Sequence, residues 1–155
     1  MRVAWVLLLL GSSAVLPPLL LAGDSGGRAH YVGGTAADLP GKTEGNLIVT
    51  DEQVLHFRHG RGSVRIPFRS INTLEYGQQV SRRVAEAILV SPLMLLVKKR
   101  RHYLTVGYVD SGGQQQALVF QVNKNAVRVV LAGLEARTGL RVEYQDEEAR
   151  KAGRG

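Results

Sequence analysis

His56 and His59 are the nearest thing in this chain to a metal pair. Residues three apart on a strand point to opposite faces, and no third histidine or carboxylate joins them at a zinc-site spacing. The pair therefore reads as a strand end and a turn. Asp51 and Glu52 are adjacent acids in a turn, whereas general acid-base work needs two groups converging on one substrate. Ser63, Ser70, Ser81 and Ser91 stand in no Gly-x-Ser-x-Gly or Ser-x-x-Lys context. The absence of cysteine excludes a disulfide, a thiolate metal site, a cysteine nucleophile and a lipid-modified cysteine. The expectation is a protein that is not an enzyme and carries no cofactor or metal.

The stretch that stands out is Ser81 to Tyr103, SRRVAEAILVSPLMLLVKKRRHY. Between Val84 and Val97 only Glu86, Ser91 and Pro92 interrupt the apolar residues. Arg82 and Arg83 precede the run, and Lys98, Lys99, Arg100 and Arg101 follow it. Fourteen residues are too few to cross a bilayer, which takes roughly 20. Ser81 suits a helix N-cap, and Pro92, unable to continue a helix, suits the first position of a second piece capped by Ser91. A kinked or broken helical insertion over residues 81–99 is expected.

Two readings of that insertion stay open. Its apolar side chains, Ile88, Leu89, Leu93, Leu95 and Leu96 among them, could lie in the acyl boundary of a membrane while the flanking cations sit among anionic headgroups. Alternatively the run is a buried core or docking helix, packed into its own domain, a protein partner or a second copy, with solvated basic ends. The net charge of +7 favours acidic partners without choosing among them. Nucleic acid is not expected, because the cations flank an apolar run and are not interleaved with stacking aromatics.

Residues 1–23 read as a targeting segment, with a positive start at Arg2, an apolar run from Val3 to Leu10 and small residues at the end. Val3 to Ala22 is also long enough to stay as an anchor. Either way the rest of the chain is expected to be exported, to the periplasm or cell envelope, whether free or anchored by this segment. The 155 residues allow one ordinary domain.

From Asp24 to Thr43, glycine, alanine and serine suggest a linker, with a short edge strand at Tyr31–Thr35. Leu47 and Val49, then Leu55 and Phe57, then Val64, Ile66 and Phe68 alternate as strands, and Ile71 to Tyr76 is a fourth run. His102 to Asp110 and Gln115 to Val122 form a hairpin about Asp110-Ser111-Gly112-Gly113. Asn123 is then expected to cap a helix carrying Val127, Val130, Leu131 and Leu134 on one face, closed by Gly139. Arg141 to Gln145 can add a last strand, and residues 146–155 read as a frayed charged tail. The fold class is α+β, mainly β.

The succession NLIVT, VLHF, SVRIPF, INTLEYG, HYLTVGYVD, QALVFQV and the helix NAVRVVLAGLEARTG resembles the pleckstrin-homology (PH) superfold over residues 44–145. IPFRSINTLEYG is similar to the strand-to-strand passage of bacterial PH-like and GRAM-like proteins, and the Gly-Gly-Thr, LEYG and LEARTG segments resemble those of small exported bacterial proteins. The resemblance implies an antiparallel two-sheet barrel or sandwich with a C-terminal helix and a helical insertion between strands. Phosphoinositide-binding members carry a basic motif in the first hairpin, whereas Thr50 to Gln53 is acidic here, so inositol-phosphate binding is not carried over. What remains expected is a non-enzymatic module that meets an anionic membrane surface, or a protein partner, through the segment from Arg82 to Arg101.

Overall fold

The structure, a computed structural model, describes residues 26–36, 38–60, 62–78, 81 and 101–154. In chain order these form β1 (Gly26–Gly34), β2 (Thr43–Ile48), β3 (Val54–His59), β4 (Gly62–Pro67), a 3-10 turn (Phe68–Ser70), β5 (Ile71–Gly77), β6 (Tyr103–Val109), β7 (Gln115–Val122), helix α1 (Val127–Thr138), β8 (Glu143–Tyr144) and helix α2 (Glu147–Arg154). The class is mainly-β α+β, as expected. All eight strands belong to one mixed sheet, ordered β4-β3-β2-β1-β7-β6-β5-β8. Every neighbouring pair is antiparallel except β5 with β8.

The two expected sheets are thus joined into one ladder, because β1 pairs with β2 on one side and β7 on the other. The order is a seven-strand meander whose first and last strands meet, left open where β4 would pair with β5. Among the described residues no ladder joins those two strands, so the sheet is not closed into a barrel. It is nevertheless strongly rolled. In a flat sheet β4 and β5 would stand six strand steps apart, about 29 Å at ~4.8 Å per step. The 3-10 turn that connects them spans at most about 14 Å. Phe57 of β3 and Phe120 of β7, three steps apart in the sheet, accordingly bring their ring centroids to 4.9 Å.

The concave face of this roll holds the core: Tyr31, Leu47, Leu55, Phe57, Ile66, Leu74, Leu104, Val106, Leu118 and Phe120 meet the buried stripe of α1. That stripe is the expected set Val127, Val130, Leu131 and Leu134. Helix and sheet approach closely at Gly27, where a Cβ would come within 2.5 Å of the Ala126 Cβ and 2.8 Å of Val130 Cγ2. Gly139 ends α1 with φ 72°, its N–H donating to the Glu135 carbonyl, as the sequence leads one to expect. Asn123 does not cap α1. Its Oδ1 accepts from the Asn125 N–H, while the N-cap position falls to Ala126, without a side-chain cap.

Two segments expected to be loosely ordered carry regular structure. The glycine-rich stretch read as a linker contains β1, nine residues long and central in the sheet. The residues read as a frayed tail form α2, whose Ala149 is fully buried. Among the described residues no helix is long and apolar enough to cross a membrane.

Candidate functional site

Ten of the residues expected to meet a membrane or partner, Arg82, Arg83, Ile88, Leu89, Leu93, Leu95, Leu96, Lys98, Lys99 and Arg100, lie outside the described residues, as do residues 1–23. The two ends of the segment are described. Ser81, after β5, donates from Oγ to Glu75 Oε1 at 2.6 Å and from its N–H to Glu75 Oε2 at 3.3 Å. The Glu75 carboxylate is buried and ties the chain down where the segment begins. Arg101, exposed before β6, donates from Nη1 to Gln121 Oε1 on β7 at 2.9 Å.

Strand register places these ends. Tyr31, Phe120, Leu104 and Tyr76 form one row across β1, β7, β6 and β5. From that row β1 runs back to Gly26, β5 runs on to Gly77 and Ser81, and β6 runs back to Arg101. Because neighbouring strands alternate in direction, all three points lie at the same end of the sheet. The chain joins residues 1–25 and both ends of 82–100 there.

That end opens into a cleft of about 720 Å³ between the sheet and the two helices. Tyr76 and His102 form one wall, their rings stacked with centroids 5.5 Å apart. Lys124, Asn125 and Arg128, at the start of α1, form the other, and Glu148 of α2 closes a side. Glu148 is engaged through Oε2, which accepts from Gln78 Nε2 at 3.1 Å. Lys124 and Arg128 pair with no carboxylate among the described residues. Burial pushes the Tyr76 hydroxyl up to about 12, helped by the nearby Tyr144 and Asp146, so it is a neutral phenol at any physiological pH.

Asp146 holds this end together. Its Oδ1 accepts from the Ala149 N–H at 2.6 Å, capping α2, and its Oδ2 accepts from the Gln78 N–H at 3.3 Å, just before the segment leaves. His102 Nε2 is buried, has no hydrogen-bond partner among the described residues, and stands 3.6 Å from Asp146 Oδ1. Burial raises the Asp146 carboxyl, but the two N–H donors and the neighbouring His102 outweigh it, so the group sits below its ordinary value.

A carboxyl with a lowered native pKa stabilises the fold fully above its unfolded value of about 3.9 and ceases to do so as pH falls through the native value. Asp146→Ala should therefore cost about 1 kcal/mol at neutral pH, the usual worth of a lost cap. It should also flatten the fall in unfolding midpoint between roughly pH 5 and 2. An acid limb identical to the parent's would show that Asp146 carries no such linkage. The exposed turn carboxylates Asp51 and Asp110 are held down in the same sense, first by the N–H groups of Gln53 and Gln114 respectively.

The histidines set aside in the sequence fall as expected on opposite sides of β3. His56 Nε2 lies 3.4 Å from Asp51 Oδ2, whereas His59 stacks on Phe57. Among the described residues no three metal-ligating side chains converge. Sequence reasoning did not single out Lys124 and Arg128, whose placement beside a helix start was the available signal.

No protein-family model matches the chain, and no curated protein matches it.

Proposed function

We propose that this is a non-enzymatic, exported module that associates with an anionic membrane surface through the basic-flanked apolar segment from Arg82 to Arg101. The observation that carries the reading is the convergence of chain ends. The segment from Arg82 to Arg100 leaves after Ser81 and returns at Arg101, at the end of the sheet where the apolar N-terminal residues join β1. Two apolar stretches rooted at one end can meet one surface together. Five of the segment's cations, Arg82, Arg83, Lys98, Lys99 and Arg100, adjoin the run itself, and Arg101 extends the block onto the sheet.

The finer reading of the fold is PH-like. Seven antiparallel strands in meander order, followed directly by a helix over the core, support it. The insertion between β5 and β6 and the added β8 and α2 are departures from that pattern, and the fold likeness lends no ligand.

The test is co-sedimentation of the full chain with vesicles of phosphatidylglycerol and phosphatidylcholine, or of phosphatidylcholine alone, at about 0.05 M and 1 M salt, where the screening length falls to about 3 Å. Binding should be stronger to the anionic vesicles at low salt, and the difference between vesicle types should vanish at high salt. Equal binding to both, indifferent to salt, would remove the headgroup interaction and leave apolar docking to a protein partner or second copy as the better account.

A further inference from the structure

We propose that the cleft between the start of α1 and the Tyr76–His102 pair takes the phosphate of an anionic lipid headgroup, with Lys124 and Arg128 as its counter-charges. This rests on the membrane reading and deepens it by assigning a second contact, on the folded domain itself.

Three observations meet at the cleft. The first is charge in a place that disfavours it. The start of an α-helix carries a partial positive charge and prefers acids, but the first turn of α1 contains no acid and no side-chain cap. Lys124 and Arg128 stand there instead, neither of them paired with a carboxylate among the described residues. A local arrangement that works against helix stability is the kind of conflict sequences keep at functional positions, and an incoming anion would resolve it. The second is shape. The space of about 720 Å³ is open on one side and bounded by the apolar Val127, the Ala152 methyl and the stacked Tyr76 and His102 rings. It can admit a lipid headgroup. The third is position. His102 follows Arg101 directly, so the cleft lies at the foot of the segment proposed to meet the bilayer.

Glu148 is the opposing charge. It lines the cleft on the α2 side and is turned toward Gln78 Nε2. It sets a polarity across the opening: the phosphate belongs against α1, and a hydroxyl of the headgroup can donate to Glu148. A headgroup with free hydroxyls, such as glycerol, fits that division better than one ending in a quaternary amine.

The experiment uses the full chain in a neutral detergent, titrated with dihexanoyl phosphatidylglycerol, with dihexanoyl phosphatidylcholine or with inorganic phosphate, and followed by NMR shifts of the Asn125 side-chain amide, Arg128 Nε–H and the His102 ring. Phosphatidylglycerol should give saturable shifts at all three groups, with binding weakened about 5-fold by Lys124→Gln and about 5-fold by Arg128→Gln. Both side chains are exposed, so neither variant should lower the unfolding midpoint. No saturable shift, or shifts indifferent to both variants, would overturn the assignment. Equal affinity for inorganic phosphate would overturn the lipid as source. The membrane reading fails separately: charge reversal over residues 98–101 tests it on vesicles. Vesicle binding retained without any shift at the cleft would remove this inference alone.

Discussion

Phe120→Ala should lower the stability of the domain by about 3–5 kcal/mol, the range for removing a buried phenylalanine. Phe120 is fully buried in β7, with its ring 4.9 Å from Phe57 of β3 and 5.9 Å from Tyr31 of β1. It therefore bridges parts of the sheet that meet only because the sheet is rolled. Since no ladder among the described residues closes the roll between β4 and β5, side-chain packing across the concave face must hold the curvature. Such a loss is a large share of the roughly 5–15 kcal/mol that holds an ordinary domain together. Urea unfolding of the full chain should show a lowered midpoint with the slope unchanged. Val129→Ala, at a half-exposed position on the outer side of α1, serves as the control and should change stability by no more than about 0.5 kcal/mol. A loss below about 1 kcal/mol for Phe120→Ala would mean that the Phe57–Phe120 contact does not hold the roll.

The strands from Leu47 onward could be read because their inner face is lined by large apolar residues at period two. The hairpin at Asp110 was legible for a different reason. Its carboxylate accepts from the Gly112 and Gln114 N–H groups, each at 2.9 Å, a role for which aspartate at a turn is the ordinary signal. β1 was legible only in part, as a short edge strand at Tyr31–Thr35 where the structure has a central strand over Gly26–Gly34, because four of its nine residues are glycine, which weakens any strand signal. What stabilises β1 is non-local, a partner on each side and the close fit of α1 over Gly27. α2 was missed because its glycine-bearing end looked like a terminus. Its start was readable: Asp146 as cap, Glu147 and Glu148 in the first turn, Lys151 and Arg154 in the last.

The site divides in the same way. A block of cations after an apolar run is visible in one dimension, so the segment from Arg82 to Arg101 stood out at once. The cleft assembles Tyr76, His102, Arg128 and Glu148 from β5, the start of β6, α1 and α2. No local pattern joins them, and only the rolled sheet with a docked α2 brings them together.

Reversing Lys98, Lys99, Arg100 and Arg101 to glutamate should sharply reduce the preference for anionic vesicles. Each cation near such a surface is worth about 1 kcal/mol. Four removals and four new repulsions then amount to a loss of more than about 10³-fold in affinity at low salt. The fold should survive at the one described member, Arg101, which is exposed and whose side chain bonds only Gln121 among the described residues. The companion variant Leu89, Leu93 and Leu96→Ser acts on the other term. It should weaken binding to anionic and neutral vesicles alike, since apolar burial is insensitive to headgroup charge, and it should leave the salt dependence unchanged. If the charge-reversed chain binds anionic vesicles as tightly as the parent, the attraction resides elsewhere, and Lys124 and Arg128 become the cations to remove next. If the leucine variant loses salt dependence as well, the apolar run positions the cations, and the two terms act as one unit instead of adding.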